Sequence, residues 1–93
     1  MSKKPSLNVS LISELKGIKI WTDTSAVAMQ GIHISSDLSK SLHYEVHNLN
    51  GQLFESNVFE GQKTVSTQSF PSGIYLVSVS DGNRKYNQRI IKR

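Results

Sequence analysis

A chain of 93 residues can build one small hydrophobic core and is too short for a second. Its 37% hydrophobic content separates it from disordered chains, yet that supply favours a layered structure over a deep enclosed active site. The absence of cysteine removes disulfides, thiolate metal sites and cysteine nucleophiles together, and leaves the redox compartment open.

The net charge of +4 is unevenly placed. Arg84, Lys85, Arg89, Lys92 and Arg93 load the last ten residues with five cations and no acid, while the preceding chain is close to neutral. An electrostatic partner therefore meets the C-terminal segment first. No apolar run approaches the roughly 18 residues of a membrane-spanning helix. Met1-Ser2-Lys3-Lys4-Pro5 does not lead into the apolar segment of a signal peptide, so the chain as written reads as carrying no leader. If it is a module of a longer protein, Met1 is an expression start and that expectation lapses.

Residues 1–16 support two patterns. Leu7, Leu11, Ile12 and Leu15 make a helical stripe ending before Gly17, whereas Leu7, Val9 and Leu11 equally make a strand. We read this stretch as a tail or linker and residues 17–93 as the folded domain. Ile18 and Ile20 alternate with Lys19 and Trp21 in a first strand, closed by Asp23-Thr24-Ser25. Val27 and Met29 share one parity, Ile32 and Ile34 the other, so a bend near Gly31 is needed if both pairs face inward.

Leu42, Tyr44 and Val46 alternate with His43, Glu45 and His47, the cleanest period-two pattern in the chain. Asn50-Gly51 then predicts a type I′ hairpin turn. Leu53, Phe54, Val58 and Phe59 follow with apolar residues on both faces, leaving the register open. Lys63 to Ser69 predicts a polar edge strand around Val65. After Pro71-Ser72-Gly73, the run Ile74 to Val79 predicts a strand in mid-sheet. Asp81-Gly82 predicts the last hairpin, and Arg84 to Lys92 the closing strand.

About seven strands, turning at short intervals, predict an all-β fold: an immunoglobulin-like antiparallel β-sandwich. The tyrosine corner and the cysteine–tryptophan–cysteine arrangement of antibody domains are missing, so this likeness is architectural.

Catalytic and metal chemistry find little support. His43, Glu45 and His47 share one strand face at about 6 to 7 Å spacing, but read as solvent-facing partners of the apolar residues between them. Asp81-Gly82-Asn83 lacks the carboxylates of a calcium loop and is explained by its turn. No Gly-x-Ser-x-Gly elbow and no glycine-rich phosphate loop occur. No enzyme activity and no cofactor are expected. The basic terminus could release counterions from nucleic acid, yet Tyr86 is the only aromatic among its cations, so no nucleic-acid partner is expected. Lysine and arginine on an edge strand also discourage unwanted pairing.

Three segments, in order, resemble the C-terminal sorting domain of the type IX (Por) secretion system of Bacteroidetes-type bacteria. They are Tyr44 to Leu53 with its Asn50-Gly51 turn, Pro71-Ser72-Gly73-Ile74-Tyr75-Leu76-Val77-Ser78-Val79, and the basic-apolar ending Lys85 to Arg93. The likeness spans residues 17–93 and is strongest after position 41; Thr22-Asp23-Thr24-Ser25 stands where the family usually has an Asn-Pro element. It implies an address label on a larger cargo, secreted or carried to the cell surface of a Gram-negative bacterium by way of the periplasm. The implied partners are an upstream cargo domain, an outer-membrane translocon and a sortase-like peptidase that removes the domain.

On that reading Gly73 sets the turn, and Ile74 and Tyr75 hold the closing hairpin on the core. Lys85, Arg89, Ile90, Ile91, Lys92 and Arg93 form the contacted edge, where strand addition is one available mode because a terminal strand leaves backbone groups unpaired. The competing reading is an autonomous adhesion or carbohydrate-binding module, with Trp21, Tyr44 or Tyr75 stacking on sugar.

Overall fold

Apolar–polar alternation resolves into two facing antiparallel sheets in the computed structural model, which describes residues 14–23 and 31–92. The strands are β1 (Ile18–Thr22), β2 (Gly31–Ser36), β3 (Leu42–Asn48), β4 (Leu53–Phe59), β5 (Gln62–Ser66), β6 (Gly73–Ser80) and β7 (Lys85–Lys92). One sheet has the order β1-β2-β5 and the other β4-β3-β6-β7. The all-β, seven-strand, two-sheet architecture is the β-sandwich expected from the sequence. Val27 and Met29 lie outside the described residues.

Each sheet turns its alternate apolar residues inward. Ile18, Ile20, Ile32, Ile34 and Val65 from the first sheet meet Leu42, Tyr44, Val46, Tyr75, Val77, Val79 and Ile90 from the second. Withdrawing each such side chain from water contributes about 1.5 to 3 kcal/mol, so the strand register is held wherever this face is buried. β6 lies between β3 and β7, as its nearly continuous apolar run predicts. β5 is the polar edge, with Val65 buried.

Several readings of the sequence change or are settled here. Leu15, placed in the tail by the sequence reading, is only 3% exposed and belongs to the core; its N–H donates to the Lys85 carbonyl at 3.1 Å. The turn after β3 is not a two-residue type I′ turn. The Gly51 N–H donates to the Asn48 carbonyl (3.0 Å) and the Asn48 N–H to the Gln52 carbonyl (3.0 Å), which makes a three-residue loop with Gly51 at φ 88°. The Asn48 side chain selects this form by accepting from the N–H groups of Asn50 and Gln52, each at 2.9 Å. The open register of β4 is settled by a bulge: Val46 pairs with Glu55 and His47 with Leu53, leaving Phe54 as the extra residue. Freed from the ladder, Phe54 packs against Phe70 and Tyr75 at ring separations of 5.1 and 5.2 Å.

A tyrosine corner is present after all. The Tyr75 hydroxyl, near the start of β6, donates to the Pro71 carbonyl four residues upstream, on the connection that carries the chain from one sheet to the other.

Candidate recognition surface

The β5–β6 corner, residues 67–72, brings scattered parts of the sequence together. Phe70 N–H donates to the Thr67 carbonyl at 3.0 Å, and Pro71 then ends the turn. Lys92, the last residue of β7, sends its ammonium to the carbonyls of Thr67 (2.5 Å) and Phe70 (2.6 Å), with Gln68 at 3.5 Å. Tyr75 holds the Pro71 carbonyl from the other side, and burial pushes its hydroxyl pKa up. Two side chains from β6 and β7 therefore satisfy the carbonyls of this corner.

Beside the corner lies a groove of about 430 Å³, lined by Asn48, Leu49, Asn50 and Gln52 from the β3–β4 turn and by Pro71, Ser72, Gly73, Ile74 and Tyr75, with Phe54 between them. The end of β3, the start of β6 and the end of β7 all fall at this end of the sandwich, because Asn48 pairs with Tyr75 and Gly73 with Lys92.

The residues singled out from sequence divide between two faces. Gly73 opens β6, and Ile74 lies opposite Ile91 on the outer face, half-buried. Lys85 and Arg89 are exposed on that same face, and Ile91 is 56% exposed. Tyr75 and Ile90 point the other way, at 2% and 7% exposure, and help build the core. Ile90 is therefore a core residue paired with Tyr75 and not an exposed contact. Lys92 is occupied at the corner, and Arg93 lies outside the described residues.

Groove residues Asn48, Leu49, Asn50, Gln52 and Phe54 were not anticipated as part of a site. The available signal was the Asn48-x-Asn50-Gly51 pattern, in which one asparagine side chain organises the turn. At the other end, the Asp81 carboxylate accepts from the N–H groups of Arg84 (2.7 Å) and Asn83 (2.8 Å) and from Lys40 (3.1 Å). These contacts, the Arg84 N–H first, hold its pKa well below the usual carboxylate range and fix the β6–β7 turn.

Other candidate chemistry has structural partners. His43 Nε2 lies 2.8 Å from the Ser56 hydroxyl, and His47 Nδ1 donates to the Asn48 carbonyl at 3.2 Å. No group of three metal-ligating side chains is gathered among the described residues. Asp23, His33 and Thr64 form a hydrogen-bonded chain of 2.7 and 3.1 Å on the outer face of the three-stranded sheet. It ties β2 to β5 and to the end of β1, where Asp23 N–H also donates to the Gly31 carbonyl. Of the aromatics considered for sugar stacking, Tyr44 and Tyr75 are buried, and Trp21 stacks on His33 at 5.4 Å.

A comparison with curated proteins finds no match. The family model for the secretion system C-terminal sorting domain matches residues 28–93, a span that contains both sides of the groove, the corner and the closing hairpin. With most of its length inside that match and the sandwich to go with it, the chain belongs to the type IX secretion C-terminal sorting domain family.

Proposed function

We propose that this domain is the export address of a larger cargo protein, directing it across the outer membrane to the cell surface before a sortase-like peptidase removes the domain. It acts as substrate and label rather than catalyst. The recognised surface comprises Gly73 and Ile74 at the groove, the exposed Lys85, Arg89 and Ile91, and Arg93. Tyr75, Ile90 and Lys92 hold that surface in shape.

The observation that carries this reading is convergence. Two segments of the family resemblance line one groove, and Lys92 from the third is hydrogen-bonded to the adjoining corner. Local strand formation alone does not require separate segments of the chain to share one end of the sandwich.

The test is delivery of a reporter fused between a leader and this chain in a bacterium with a type IX system. Deleting residues 84–93 is a poor probe, because it removes the core residue Ile90 and the Lys92 clamp with the signal. The combined change Leu49→Lys and Ile74→Lys instead charges the groove rim while sparing the core. We expect a folded domain whose surface delivery falls at least about tenfold, the effect of losing ~1.4 kcal/mol of contact. Delivery equal to the parent, with the same melting temperature, would refute the assignment.

A further inference from the structure

We infer that the outer edge of β7 captures an extended, acidic partner strand by β-addition. The inference takes its biological setting from the sorting reading and names the chemistry of the partner.

The register argument starts at Lys85, whose carbonyl accepts from Leu15 on the side away from β6. Backbone direction alternates along an antiparallel strand, so the N–H and C=O groups of Asn87, Arg89 and Ile91 point the same way. Among the described residues nothing pairs with them. Those of Arg89 and Ile91 open onto a groove of about 410 Å³ between β7 and β1. Across it, the same alternation turns the backbone of Ile18, Ile20 and Thr22 outward, since Asp23 and Gly17 bond toward β2. One side-chain bond crosses the gap, from Gln88 Nε2 to the Ile20 carbonyl at 3.0 Å. Two edges thus face each other, with β1 and β7 approaching within 8 Å between Cα atoms, so an added strand that pairs with β7 has to part the Gln88–Ile20 contact.

The other edge of the same sheet is plugged at one position. On β4 the outward N–H of Val58 is already taken by the Asn57 side chain at 2.8 Å. Among the described residues β7 has no such plug at Asn87, Arg89 or Ile91 and relies there on charge. Lys85 and Arg89 stand on its outer face, about 13 Å apart at ~3.3 Å per residue. Cations on an edge are costly to bury in a neutral aggregate and repel a second copy of the same strand. They favour an incoming strand that places acids on that face, with apolar residues on alternate positions entering the groove beside Trp21 and Ile20.

The probe is a blocked peptide of alternating Glu and Val, titrated into the isotope-labelled full chain at low and high salt. Expected are saturable binding that weakens with salt, and slowed amide exchange at Asn87, Arg89 and Ile91. Asn87→Pro removes an outward N–H that no described strand uses, and should weaken binding at least about tenfold. Should that variant misfold, Arg89→Glu carries the test by moving preference to a Lys-Val peptide. Equal binding of a Glu-Pro peptide, which has the charge without strand pairing, would overturn the inference, as would unchanged exchange at those three amides or self-association replacing peptide binding. Normal reporter delivery by folded Asn87→Pro that has lost the peptide would leave the export role standing and remove strand capture from it.

Discussion

Tyr75→Phe isolates the tyrosine corner, because it deletes one oxygen and leaves the ring among Phe54 and Phe70, with centroids at 5.2 and 5.3 Å. The lost contact is the donation to the Pro71 carbonyl. Removing one partner of a buried pair costs more than the bond's net value, because the carbonyl left behind loses water as well; about 1 to 3 kcal/mol is the usual range. Pro71 sits at an exposed corner while the hydroxyl is largely shielded, which places the expected loss near ~1.5 kcal/mol. For a domain of this size, each kcal/mol shifts the melting temperature by roughly 4 to 8 °C. Thermal denaturation followed by circular dichroism should therefore show a fall of roughly 6 to 12 °C, with the urea m-value unchanged because the exposed area is the same. A melting temperature within about 2 °C of the parent would mean that the corner hydroxyl contributes less than ~0.5 kcal/mol, and would refute the role given to it.

Further outcomes follow from the same geometry. Lys92→Met keeps the apolar stem and removes the ammonium from the corner carbonyls, so it should destabilise by about 2 kcal/mol and speed hydrogen exchange at the end of β7; unchanged exchange there would count against the clamp. Gly51→Ala meets no atom within 4 Å at its new Cβ, so its cost is the left-handed backbone alone, about 1 to 2 kcal/mol in a urea melt; a neutral result would contradict the three-residue loop. The folded pKa of Asp81 lies below its unfolded value, so its stabilisation is complete above the unfolded pKa of about 3.9 and fades as pH falls toward the folded one. The difference in melting temperature between the parent and Asp81→Asn should hold from neutrality down to that value and close only below it. A difference that closed near neutrality would point to another group.

Features that repeat over a few residues are legible in the chain before it folds. Period-two alternation through Leu42, Tyr44 and Val46, the unbroken run from Ile74 to Val79, and turn residues at Gly51, Gly73 and Gly82 set the number and order of the strands, because each signal depends on neighbours two to four positions away. They also marked β5 as an edge and the closing hairpin as basic and terminal. Tertiary structure decided the matters in which distant residues compete for one space. Ile90 and Ile91 look equivalent in sequence, yet pairing with Tyr75 turns Ile90 into the core and leaves Ile91 on the outer face beside Ile74. Leu15 reads as part of a tail until Lys85 gives its N–H a partner. The Lys92 ammonium finds its carbonyls 22 to 25 residues upstream, and the groove forms only when the β3–β4 turn and the β5–β6 corner arrive at the same end of the sandwich. Such contacts leave no periodic trace, because they arise from the packing of two sheets and not from the preferences of any one strand.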